Sequence, residues 1–328
     1  MKRRPATVDL KRVTTRPLAG RPSLTSVKAL AGVMPARGAD VFFENLPAFL
    51  KANDLKALIK AIISARRRNK PVIVMAGGHV IKVGLSPILI DLLERGWISG
   101  LCLNGAGVIH DCEIAFAGRT SEDVAEGIRD GSFGMAAETA ERYAEIVRAA
   151  GENGIGLGQA AGLIIEKSGA RFKRHSLLAA AYRLSLPATV HIAVDTDIVC
   201  QHPQYDAAGA ARASHHDFTI LAREISRGEN GGVFINIGSA VILPEVFLKA
   251  LSVARNIYGR PRKIVTANFD MIFQYRPLVN VVRRPTAHGG AGYNFVGHHE
   301  LMIPLLAWGL KSYGRKGRRG KNAPDTRE

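Results

Sequence analysis

The feature that most constrains this chain is a recurrence. Short apolar, β-branched runs close on small or hydrogen-bonding residues and are separated by longer stretches with helical periodicity. Val72 to Met75 runs into Gly77-Gly78-His79, and Gly100 to Leu103 into Asn104-Gly105-Ala106-Gly107. Gly232 to Ile237 runs into Gly238-Ser239-Ala240, and Lys263 to Val265 into Thr266-Ala267-Asn268. Ala188 to Val194 and Val279 to Val282 are further candidate strands. Runs that are apolar throughout, rather than alternating, belong to strands buried on both faces, as in parallel sheets whose strands are joined by crossover helices. Helical spacing marks Phe49 to Arg68, Ser86 to Arg95, Ser121 to Arg129, Ala136 to Ala150, Ser214 to Ser226, Pro244 to Ile257 and Glu300 to Leu310. Together these predict an α/β fold with an open, mostly parallel sheet and helices on both faces.

No internal repeat or linker divides the chain. The reading is one α/β domain over 41–313, a basic N-terminal arm over 1–40 and a basic tail over 314–328. The net charge of +17 is concentrated in those ends. It is therefore read as nonspecific attraction of the arms for RNA or anionic surfaces, not as a sequence-reading interface. The apolar stretch from Val72 to Ile90 is interrupted by His79, Lys82 and glycines, so no membrane span is expected. The basic start lacks the apolar segment of a secretory signal, and the three cysteines have no CxxC spacing. A cytoplasmic, reducing address follows as the expectation.

In an open parallel sheet the carboxyl ends of the strands border one crevice, where glycines let a backbone approach closely and helix N-termini favour phosphate. Four such ends point to a nucleotide. Neither GxGxxG nor GxxxxGK[ST] is present, so the standard dinucleotide and P-loop fingerprints are not available.

The segment Gly77 to Val124 resembles the NAD-binding half of the deoxyhypusine synthase family in the order of its turn, helix, small-residue turn and acidic segment. GSAVILPEV at Gly238 to Val246, TANFD at Thr266 to Asp270 and HHELMIPLLAWGL extend the likeness over roughly 45–310. The resemblance implies a Rossmann-like fold, NAD as cofactor, a homotetramer and hydride abstraction from a small amine or alcohol substrate. It places Gly77, Gly78, His79, Asn104, Gly105, Ala106, Gly107, Gly238, Ser239, Thr266, Ala267 and Asp270 beside the cofactor, with Asp111 or Glu113 on a ribose or nicotinamide contact. Asp206 resembles the aspartate of the family's Thr-Asp-Gly. His110, His202 and Asp206 are the candidate general bases for an NAD-dependent transferase or oxidoreductase. The family's Trp-Gly-Lys lysine has no counterpart after Arg276-Pro277, where LVNVVRRPT follows. The implied chemistry is therefore hydride transfer rather than deoxyhypusine formation.

Two other readings stand beside this one. His191, Asp197 and His202 fall close together after a strand and suit a metal-dependent hydrolase. The basic arms suit a noncatalytic nucleotide-binding protein that docks on RNA. Lys82 reads as a phosphate contact or a solvated cation, and Cys102 and Cys112 as core residues.

Overall fold

The computed structural model describes residues 39–319, with side chains from 41 to 313. Six strands form one sheet: β1 (Val72–Ala76), β2 (Gly100–Asn104), β3 (Ala188–His191), β4 (Val233–Ile237), β5 (Ile264–Asp270) and β6 (Gly290–Val296). Their order is β3-β2-β1-β4-β5-β6 and every pairing is parallel. The chain moves outward from β1 through β2 to β3, then returns beside β1 and moves outward the other way. This Rossmann-like order reverses between β1 and β4.

Helices α1 (Ala39–Asn45) and α2 (Leu50–Arg67) precede the sheet, and α3 (Gly78–Lys82) and α4 (Ser86–Glu94) join β1 to β2. Between β2 and β3 lie α5 (Gly105–Ala117), α6 (Val124–Asp130), α7 (Ala137–Asn153), α8 (Leu157–Lys167) and α9 (Leu177–Arg183). Then α10 (Ala207–Ser226) and α11 (Ile242–Tyr258) flank β4. One-turn α12 (Tyr275–Pro277) and α13 (Arg284–Thr286) bracket a π-helical stretch, Leu278–Arg283, and α14 (His299–Arg319) follows β6.

The period of two along β1 explains why all five of its residues are buried. Val72, Val74 and Ala76 enter one hydrophobic cluster with α2, α5 and α14, while Ile73 and Met75 enter a second with α10 and α11. Each such branched side chain removed from water contributes about 1.5–3 kcal/mol before entropy is counted. On the other half of the sheet, Asn236, Asn268 and Asn294 lie in register on β4, β5 and β6. Asn236 donates to Asn268 and Asn268 to Asn294, each at 2.8 Å. This amide ladder penalises any slip of the three strands, because a shift would strand buried polar groups.

Several expectations are corrected. Val279 to Val282 is π-helix rather than strand: β-branched composition alone does not fix a strand, and Pro277 and Pro285 bound a helical segment here. The run read from Lys263 to Val265 lies at the start of a longer strand, Ile264–Asp270, which moves Thr266 and Ala267 from the sheet's edge into its interior. The sixth strand, GAGYNFV, lacks an apolar run and was not anticipated. Helix α14 continues to Arg319, past the start of the expected tail. Of the arm expected over 1–40, Ala39 and Asp40 begin α1 and residues 1–38 lie outside the described residues, as do residues 320–328 of the tail. Among the described residues no helix is long and apolar enough to cross a membrane.

Candidate functional site

A cavity of about 860 Å³ opens beyond the carboxyl ends of β1, β2 and β3. Its floor is α5, whose start the sequence dictates. Asn104 caps the helix by accepting the amide of Gly107 at 3.0 Å, and Gly105 and Gly107 keep the first turn slim. From that helix Ala106, Ile109, His110, Cys112, Glu113 and Phe116 face the cavity. Lys82 arrives from the end of α3, Arg119 and Thr120 from the loop after α5, Thr139 and Arg142 from α7, and Asp197 from the loop after β3.

His110 and Glu113 are one helical turn apart and are joined by Thr120. The Thr120 hydroxyl donates to Glu113 Oε2, and Thr120 Oγ1 lies 2.7 Å from His110 Nδ1. A hydroxyl that spends its proton on the carboxylate accepts at its oxygen, so Nδ1 carries the ring proton and Nε2 keeps its lone pair. Thr139 donates to the other carboxylate oxygen, Oε1, at 2.8 Å. Burial pushes Glu113 up, but the His110 ring 3.8 Å away and the hydrogen bonds from Thr120 and Thr139 outweigh it and hold the carboxyl below its ordinary range. The ring is thereby fixed in one tautomer with a carboxylate behind it, the arrangement a proton acceptor needs.

Asp197 differs from the other carboxylates of the cavity. Burial raises it to about 6 against the pull of His110. A Cβ on Gly105 would stand 1.8 Å from its Oδ2, so the carboxylate rests over the first residue of α5 and would have to swing aside for a larger residue there. Glu122 accepts the Gly134 amide with both oxygens, and Arg142 pairs with Glu145 and lies over the Phe116 ring.

The remaining candidates have other roles. Asp111, one residue from His110, turns into the core and is fully buried. It accepts from the Ser176 hydroxyl at 2.5 Å and from the Leu177 and Leu178 amides, and so holds the start of α9. Burial raises it to about 6 despite those bonds. It therefore contacts no ligand. Asp206 caps α10 through the Gly209 amide, and His202 Nε2 is bound to the Gly134 carbonyl at 2.8 Å. Neither lines the cavity, so neither stands as a base. His191 is buried against Thr189 Oγ1 at 3.0 Å. The metal cluster of His191, Asp197 and His202 does not assemble, and no group of three metal-ligating side chains exists among the described residues. Cys102 is pushed up to about 12 and Cys112 well above the usual range, both by burial, so both are inert core thiols.

Gly77, Gly78, His79, Gly238, Ser239 and Asp270 gather at the neighbouring β1–β4 edge. There a Cβ on Gly77 would meet the Gly238 carbonyl oxygen at 2.3 Å, and His79 stands 5.6 Å from His299. The backbones touch and leave no gap between these two turns. Ser239 accepts the Leu243 amide at 3.2 Å and belongs to the start of α11. Thr266 and Ala267 lie within β5, away from the lip. Thr120, Thr139 and Arg119 were not anticipated, since only the folding of the loop after α5 and of α7 brings them to His110.

No protein-family model matches the sequence. No curated protein matches it either. Among solved structures, the ternary complex of AgrE with ornithine and NAD+ is similar at 15% identity and a TM-score of 0.48, covering 80% of this chain and 33% of that one. A provisionally assigned LOR/SDH protein from Methanococcus maripaludis S2 is similar at 16% identity and a TM-score of 0.47, covering 81% of this chain and 71% of that one. A provisionally assigned deoxyhypusine synthase from Entamoeba histolytica is similar at 11% identity and a TM-score of 0.49, covering 84% of this chain and 93% of that one. The chain spans about a third of the length of the ArgZ and AgrE structures it matches. Likenesses this distant say nothing about the chemistry of the site.

Proposed function

We propose that the protein is an NAD-linked oxidoreductase acting on a small substrate in the cavity over α5, with His110 as the proton acceptor. The observation that carries this reading is the His110–Thr120–Glu113 chain, set on the floor of a cavity at the carboxyl edge of a sheet ordered β3-β2-β1-β4-β5-β6.

The residues present fit a dinucleotide. About 860 Å³ falls in the range of small-molecule and cofactor sites. The helix end at Gly105 is already covered by Asn104 and Asp197, so phosphate recognition falls to side chains. Lys82, which follows the β1 turn and has no ion pair or hydrogen bond among the described residues, would hold the phosphates, and Ala106 allows close approach. When bound, nicotinamide supplies the acceptor for a hydride from the substrate carbon. His110 Nε2 takes the accompanying proton from the substrate heteroatom, and Glu113, reached through Thr120, stabilises the resulting imidazolium. Glu113 is itself kept ionised by Thr139. The apolar walls limit water at the reacting atoms.

Titrating the full chain into NADH and following nicotinamide fluorescence tests the reading. It predicts saturable enhancement that Lys82→Ala weakens and His110→Ala leaves unchanged. Unaltered fluorescence with folded protein contradicts it.

A further inference from the structure

The charged side chains lining the cavity divide into those already satisfied and those that are not. Glu113 is engaged by two threonines and His110, Glu122 by a backbone amide, and Arg142 by Glu145 and the Phe116 ring. Asp197 is half-buried, and its carboxylate, over the first residue of α5 and drawn partly out of water, accepts no hydrogen bond or ion pair among the described residues. Arg119 is exposed where it lines the cavity and has no partner among the described residues, and it directly precedes Thr120, the residue bound to His110 Nδ1. The two line one cavity but form no ion pair with each other. Glu138 and Lys82 also line the cavity exposed and unpartnered, Glu138 on the surface of α7 and Lys82 at the end of α3, where it is assigned to cofactor phosphate.

A carboxylate leaving water without a donor is unfavourable, and a ligand ammonium placed against it recovers the loss. A guanidinium on the same cavity is suited to a carboxylate, which it can grip with two parallel hydrogen bonds. The complement of a half-buried carboxylate without a donor and a solvent-facing guanidinium on the same cavity is a small zwitterion. On the same cavity Ile109, Phe116, Val124, Phe133 and Ile198 offer an apolar lining for an aliphatic side chain. We infer that the substrate of this site is an α-amino acid with an aliphatic side chain, its ammonium held by Asp197 and its carboxylate by Arg119. This rests on the oxidoreductase reading for the location of the site and narrows its substrate from amines and alcohols in general. Asp197, with Arg119, thereby becomes a specificity-determining residue rather than a metal ligand.

The test is calorimetry on the full chain with three matched probes, L-norvaline, butylamine and valerate, each with and without saturating NADH. Butylamine lacks only the carboxylate and valerate only the amine. L-Norvaline is expected to bind about tenfold or more tightly than either, the discrimination a site built for a polar group imposes when that group is missing. Asp197→Asn is expected to remove the preference over valerate and Arg119→Gln the preference over butylamine, with Asp197→Glu restoring part of the former. Equal affinity for the three probes, or no heat from L-norvaline in either state, overturns the inference, and the wild-type panel decides this without any variant. If NADH binds and L-norvaline does not, the substrate assignment fails and the oxidoreductase reading stands. If L-norvaline binds selectively and NADH does not, the reverse holds.

Discussion

One turn of helix separates His110 from Glu113, and Thr120 closes the distance between them: Nδ1 lies 2.7 Å from the threonine oxygen, whose proton is given to Glu113 Oε2. The pair is built locally by α5 and completed by the loop that follows it. Its consequence is a histidine with one committed nitrogen and one free nitrogen. Replacing His110 by Ala is expected to lower turnover of an amino acid with NAD by about 10²–10⁴-fold, the usual contribution of a positioned base. Thr120→Val, which leaves the ring but breaks its link to the carboxylate, is expected to give a smaller loss. Following NADH formation by absorbance, with cofactor affinity measured in parallel, separates a catalytic effect from a binding one.

Asp111 makes the opposite prediction. Its carboxylate receives three donors at the start of α9. Asp111→Asn replaces one acceptor oxygen by a donor that faces other donors, and it is expected to cost about 1–3 kcal/mol of stability. Activity per folded molecule should be unchanged. Denaturant unfolding alongside turnover checks both halves.

Two glycines should respond with opposite signs. A Cβ at Gly77 would overlap the Gly238 carbonyl at 2.3 Å, a backbone atom that cannot swing aside, so Gly77→Ala is expected to destabilise by about 1–3 kcal/mol. Gly151 lies within α7 with nothing within 4 Å of a Cβ, so Gly151→Ala is expected to stabilise by about 0.5–1 kcal/mol. Melting temperatures of the two variants measure the contrast.

His191 sets a pH dependence. Burial lowers it from 6.5 to about 3, so the folded state binds this proton less readily than the unfolded chain does. Its contribution to stability is therefore present above about pH 6.5 and is lost as pH falls toward 3. His191→Gln should flatten that part of the stability curve relative to the wild type. Urea unfolding across this interval reads the difference in slope.

Much of the sheet was legible in the sequence because its inner strands are buried on both faces. VIVMA and VFINI admit little else between helical patterns. The edge strand β6 was not legible, since its glycines and half-exposed residues carry no apolar run, and neither was the π-helical LVNVVR, whose valines imitate a strand. At the site, the spacing of His110 and Glu113 already places them on one face of a helix and turns Asp111 about 100° away, so the choice between the two acids was available from helical period alone. Arg119, Thr139 and the new role of Asp197 were not available, because they depend on which loops fold over α5. Small residues after a strand also proved ambiguous. Thr266-Ala267 belongs to the interior of a longer strand, and Gly77 serves backbone contact with Gly238.

The most direct test of the account is a crystal structure of the full chain soaked with NAD. Density for the dinucleotide is expected in the cavity over α5, with its phosphates beside Lys82 and its nicotinamide within reach of His110. Dinucleotide bound instead at the β1–β4 edge between His79 and His299, or a cavity left unfilled at saturating NAD, would contradict it.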